Sequence, residues 1–328
     1  MWKLLTGLNK NLVYAIPLAI LAGLVAGKLM PASAVPGMKQ LIMPFTFLMV
    51  YPMMVTLNIQ HLKQGLELRL QAMALAINFA IIPFGAFVLG KLFFPDQPYM
   101  ALGLLLASLL PTSGMTISWT GFAKGNMGAA INMTVIGLTM GSLATPFYVN
   151  WLMGARVAVD VFRVFQQIFL IVFLPMALGY ASRQLLLKRY GMAEFKGRLA
   201  PRFPALSTLG VLGIVFVAMV LKAGTIMERP EGLLMIFIPL VILYLANFCL
   251  STLVGRRFFL RGDAIALVYG TVMRNLSIAL AIAINAFGPA GADAALVIAL
   301  AYIIQVQSAA WYVRFTPRIF RGAVSETV

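Results

Sequence analysis

An all-α membrane protein of ten transmembrane helices, built as two inverted five-helix repeats, is the fold this sequence predicts. Three observations predict it. Of 328 residues, 62% are hydrophobic and 10% charged, with a mean hydropathy of +0.95, a balance that a soluble domain cannot present to water. Ten apolar stretches are long enough to cross ~30 Å of hydrocarbon at 1.5 Å per residue. The stretches fall into five and five, with an interruption in the fourth of each set, and an odd number per half makes such a repeat inverted in the membrane.

The spans are expected at 11–30, 37–58, 70–93, 98–123, 127–153, 164–186, 205–224, 232–254, 263–287 and 291–313. Span one carries Pro17 followed by Gly23 and Gly27; span six carries Pro175 followed by Gly179. Span two holds Pro44, Pro52, Met53 and Met54, which reads either as a mobile, kinked wall or as an ordinary kinked helix packed with flexible Met. Span three ends in Gly90, Lys91, Leu92, Phe93 and Phe94, and span eight ends in the similar run Gly255, Arg256, Arg257, Phe258 and Phe259. Asn78, Asn132 with Thr134, and Asn247 lie in spans three, five and eight, where amides usually bond between helices for ~1 kcal/mol. Gly23/Gly27, Gly121/Gly125 and Gly137/Gly141 have the spacing that lets membrane helices approach closely.

By these marks 1–187 holds the first repeat plus span six, 188–204 is a polar cytoplasmic linker, and 205–328 holds spans seven to ten. The repeats run over 11–153 and 164–313. Lys188, Arg189, Lys196, Arg198 and Arg202 in the linker are placed to meet anionic lipid headgroups.

The net charge of +16 would suggest nucleic acid in a soluble chain. Topology accounts for it instead, and no nucleic-acid partner is expected. Seventeen of the 25 basic residues fall on the side of the N-terminus, seven on the other, and Arg274 alone at membrane depth. That bias puts both termini in the cytoplasm of a multi-pass inner (plasma) membrane protein. The single cysteine, Cys249, rules out an internal disulfide and a cysteine metal cluster, and is expected as a small buried hydrophobe. His61 is expected as a solvated loop residue. Ala32, Ser33 and Ala34 behind Lys3 and Lys10 imitate a signal-peptide cleavage site, but cleavage there would break the repeat.

The chemistry gathers at the two interruptions. Span four is broken by Pro111, Thr112, Ser113 and Gly114, and span nine by Met273, Arg274 and Asn275. Backbone groups freed at membrane depth must face protein or a watered cavity, and paired breaks in the two halves mark a midplane binding site. All nine carboxylates fall in loops or at span ends, so none is left at midplane to carry a proton or hold a cation, and no metal or cofactor is expected. A buried arginine costs at least ~2.5 kcal/mol on insertion scales. Arg274 therefore has a use: contact with an anionic substrate, replacement of a bound cation, or capping of freed carbonyls. Thr112, Ser113 and Thr116 offer hydroxyls, and the helix restarting after the first break aims its amides at the same place. An intramembrane enzyme would need a nucleophile and base, or a metal set, at this depth, and a passive channel would show a continuous polar stripe.

With these residues in view the chain resembles the superfamily that unites bile acid:sodium symporters with Acr-three type arsenite efflux permeases. The likeness spans nearly the whole chain and is most specific at Ser118 and Trp119 through Ala123, Lys124, Gly125 and Asn126, similar to the permeases' segment after the first broken helix. Asn275 to Ala283 followed by Phe287 and Gly288 is similar to their ninth span. The resemblance implies a secondary transporter of a small anion. It aligns the permeases' cysteine with Thr112, their ninth-span glutamate with Ser277 and a later acid with Gln305, which leaves arsenite without its soft ligand. Against the sodium symporters, Gly270 stands for an acidic ligand, Arg274 for a glutamine, and Thr116 with Ile117 for a Ser-Asn pair. The substrate-binding set is thus Arg274, Asn275, Thr112, Ser113, Thr116, Ser277 and Gln305. Sodium coupling is not expected, and arsenite or antimonite efflux by a cysteine-free variant is the alternative.

Overall fold

The computed structural model describes residues 7, 11–31, 34–56, 67–157, 159–228 and 231–320. His61, Lys3, Lys10, Lys63, Arg229, Arg321, Glu326 and two residues of the cleavage-like motif, Ala32 and Ser33, lie outside them. Among the described residues the chain is all-α, with no strand ladder. The helices are α1 Leu12–Leu29, α2 Val35–Gln40, α3 Ile42–Thr56, α4 Leu68–Phe93, α5 Pro98–Leu109, α6 Gly114–Phe122, α7 Met127–Met153, α8 over 161–194, α9 Phe203–Glu228, α10 Glu231–Phe258, α11 Arg261–Val272, α12 Leu276–Phe287 and α13 Gly291–Ile319. Among the described residues five helical runs are long and apolar enough to cross a membrane, Leu68–Phe93, Met127–Met153, Val161–Leu221, Leu233–Phe258 and Leu276–Ile319, with shorter apolar helices at Tyr14–Leu29, Ile42–Thr56 and Pro98–Leu109.

Proline shapes the long helices. In α4 the turn Ala76–Ile81 widens to a π-helix just before Pro83, and in α8 Phe169–Phe173 does so before Pro175, because a proline lacks the N–H and crowds the carbonyl four residues back. For Pro83 that carbonyl is Phe79 O, and the Tyr148 hydroxyl donates to it at 2.7 Å. The 188–204 stretch, expected as a polar connection, is mostly helical: α8 runs to Glu194 with one break at Gly191 (φ 76°), then a π-turn and a 3-10 turn lead into α9. Phe195 is buried there while Arg198 pairs with Glu194 one turn back, so one apolar anchor and an amphipathic pattern suffice for helix.

The chain forms two compact units. The first comprises Met1–Leu57, Ala158–Met235 and Leu276–Ile303. Within it α9 packs along α1 and α3, and α8 along α3. A Cβ at Gly23 would come within 2.6 Å of the Phe216 carbonyl and one at Gly27 within 2.7 Å of Val220 O, so the first glycine pair is what lets α1 lie against α9. Ser207 donates to the Met49 carbonyl, and Tyr51 and Ser182 share a 2.7 Å bond.

The second unit comprises Asn58–Val157, Ile236–Asn275 and Ile304–Val328. Its core is nearly all of α5 and α11, whose residues are buried on every face. The turn between α6 and α7 is fastened onto the start of α11: Asn126 caps α7 on Ala129 N, its amide donates to Asp263 at 2.7 Å, and its backbone N–H donates to Gly262 O. Gly125 is required there because a Cβ would meet Ile265 at 2.6 Å. Cys249, expected in the core, is instead exposed on α10.

Candidate binding site at two broken helices

Both interruptions form where the sequence places them. α5 ends at Leu109 and α6 starts at Gly114; α11 ends at Val272 and α12 starts at Leu276. Between them Pro111 and Arg274 pair as a single antiparallel bridge, with Thr112 N donating to Met273 O at 2.7 Å and Asn275 N donating to Leu110 O at 2.8 Å. Each break thus satisfies the other's main chain.

The remaining freed groups are claimed by side chains. Unbroken, α11 would bond the carbonyls of Gly270 and Thr271 to the amides of residues 274 and 275. Asn78 donates to Gly270 O at 3.0 Å and Asn247 to Thr271 O at 2.8 Å instead. Gln305 clamps the Arg274 peptide from both sides, its Oε1 accepting from Arg274 N at 2.8 Å and its Nε2 donating to Arg274 O at 3.2 Å, while the Tyr244 hydroxyl donates to the same Oε1 at 2.9 Å. On the α5 side the carbonyl of Ser108, which Thr112 N would have taken, receives Arg274 Nη1 at 3.0 Å. The accounting expected of a buried backbone is met at these positions without water.

Arg274 is 3% exposed, and its second amino group, Nη2, is buried with no partner. It makes no ion pair among the described residues. Beside it lies a cavity of about 10 Å³, lined by Ile82, Ala107, Leu243, Tyr244, Asn247 and Arg274 itself, room for about one water molecule.

The expected hydroxyls turn out to serve the backbone. Thr112 sits at φ 65°, a conformation that a β-branched residue adopts only under constraint. Its hydroxyl lies against the Met133 and Thr134 carbonyls of α7 at 3.4 and 3.3 Å. Ser113 caps α6 on Met115 N while Thr116 accepts from Ser113 N, a reciprocal capping box. These three shape the first break and are buried, and none bonds Arg274. Asn275 is buried at the crossing. Ser277 belongs to the other compact unit, where it bonds the Tyr302 hydroxyl. Sequence reasoning missed Ser108, Met133 and Tyr244, and read Asn78 and Asn247 only as generic interhelical bonds; what could have singled out the two amides is that spans three and eight are the ones expected to correspond in the repeat.

A family model described as the sodium bile acid symporter family matches residues 43–229, more than half of the chain and including the first break. The chain belongs to that family. Over 308 residues, 88% of this chain and 83% of the relative, it is 25% identical to the arsenical-resistance protein Acr3 of Corynebacterium glutamicum. It is likewise 25% identical over 91% of its length to an uncharacterized transporter of Synechocystis, covering 85% of that protein. A stretch of 161 residues, 48% of the chain, is 30% identical to 38% of a probable chloroplastic sodium/metabolite cotransporter of rice. For a bile acid symporter family member the break whose carbonyls are taken by side chains, with an arginine inside it, is the feature to explain.

Proposed function

We propose that this chain is a secondary transporter that moves a small anion by alternating access without sodium, as a multi-pass inner-membrane protein with both termini in the cytoplasm. The observation that carries the reading is Arg274: a fully buried guanidinium at the crossing of two broken helices, with one amino group on the Ser108 carbonyl, the other unclaimed and no acidic partner among the described residues. Such a group attracts an anion and repels a cation. Sodium independence is supported by the acceptors. At the second break the carbonyls that a cation would use, Gly270 O and Thr271 O, each already take a donor from Asn78 and Asn247, and Ser108 O takes one from the Arg274 guanidinium, whose charge opposes a cation at that oxygen. No carboxylate occupies position 270, and a Cβ there would meet Met133 Sδ at 2.4 Å.

The likeness to an arsenical-resistance protein makes arsenite efflux the second reading. The hydroxyl of Thr112, which donates to Pro111 O at 2.6 Å with the α7 carbonyls next to it, offers no thiolate for arsenite. Purified protein in liposomes, offered a panel of labelled chloride, acetate, pyruvate and arsenite, separates the two. Uptake of a monovalent anion that is lost in Arg274→Ala supports the first; transport of arsenite alone overturns it.

A further inference from the structure

Arg274 gives the break one positive charge that no acid among the described residues pairs with. Its acceptor, Ser108 O, is a neutral carbonyl, and the side chain clamping its peptide is an amide, Gln305, rather than an acid. Tyr244 and Asn247, which share the cavity with it, are neutral too. The buried acid of the same unit, Asp263, stands at the opposite end of α11, roughly 15 Å away along the helix at 1.5 Å per residue, and is bonded to Asn126. A guanidinium does not shed its proton in proteins. The site is therefore +1 when empty, neutral with a monovalent anion and −1 with a divalent one.

An uncompensated charge is what the membrane interior opposes most strongly, so the neutral state is the one that changes sides readily. We propose that the chain is an exchanger of small monovalent anions, in which the empty site returns much more slowly than the loaded one. This rests on Arg274 being the anion's counter-charge. One anion enters for each that leaves, and the charge balances with no coupling ion.

The test uses the full chain in liposomes, with labelled chloride, formate, acetate or pyruvate outside and the same anion, unlabelled, or sulfate, or neither anion inside. Uptake into vesicles holding the same monovalent anion should be on the order of tenfold faster or more, and should ignore a potassium diffusion potential set with valinomycin. Gln305→Glu puts an acid against the Arg274 peptide and neutralises the empty site, so the advantage of preloading should shrink. If that variant does not fold, the two loadings and the imposed potential decide alone. Uptake that is equal from both loadings and from vesicles holding neither anion would overturn exchange while leaving anion transport standing. Uptake driven as well by internal sulfate, above the rate into vesicles holding neither anion, would overturn the monovalent class. No uptake of any of the four probes would overturn the transport reading itself, and exchange with it.

Discussion

At the scale of single residues, Arg274 holds its place through two different kinds of contact, its peptide in the Gln305 clamp and Nη1 on Ser108 O, and leaves Nη2 free. The clamp and the main-chain bridge do not depend on the side chain, so Arg274→Ala should fold and yet lose anion binding. Removing a charge-assisted bond worth about 1.5–3 kcal/mol weakens affinity by roughly ten- to a hundredfold, read as the loss of anion-dependent thermal stabilisation in detergent. Arg274→Lys should recover only part of it, because one ammonium cannot hold the carbonyl and present a second donor in a fixed fork. Unchanged anion-dependent stabilisation in Arg274→Ala would remove the residue from the site. Arg274 was legible in the sequence because a charge surrounded by apolar residues has to be accounted for. Thr112, Ser113 and Thr116 were legible as the break but not as its braces: short hydroxyl side chains turn to nearby backbone, and only the fold says which backbone is nearest. Gln305 was visible through the family resemblance alone, since nothing in the spacing of the two amides of span ten, Gln305 and Gln307, singles it out.

At the scale of elements, both breaks and the helices around them follow from proline, polar clusters and span length, and these were readable. Less readable was what lets the breaks pack. A Cβ at Gly141 would stand 2.8 Å from Pro111 Cδ and 3.0 Å from Leu109 O, and one at Gly137 2.9 Å from Thr112 Oγ1, so this glycine pair is the floor on which the first break rests. Gly141→Val should lower thermal stability and anion binding together, whereas a substitution at Gly224, where a Cβ meets nothing within 4 Å, should leave both alone; a Gly141→Val protein as stable as the parent would show that the break moves freely. The exposure of Cys249 escaped the sequence for a physical reason: lipid and protein core both accept apolar side chains, so the apolar residues of a helix such as α10 do not declare which face is covered. The helical 188–204 connection escaped because basic residues read as a loop when the single buried anchor, Phe195, is not known.

At the scale of the whole molecule, the bias of basic residues predicts that both ends of the chain lie in the cytoplasm. Tags on either terminus should stay protected in intact cells and become accessible on permeabilisation; labelling of one terminus from outside would mean an odd number of crossings. The larger claim is that a family named for sodium coupling contains here a member whose crossing carries its own tethered cation, with the carbonyls of Ser108, Gly270 and Thr271 already satisfied by Arg274, Asn78 and Asn247. Replacing all sodium by choline during anion uptake into proteoliposomes tests that claim most directly. The expected result is an unchanged initial rate, and a rate that collapses in choline and returns with added sodium would contradict it.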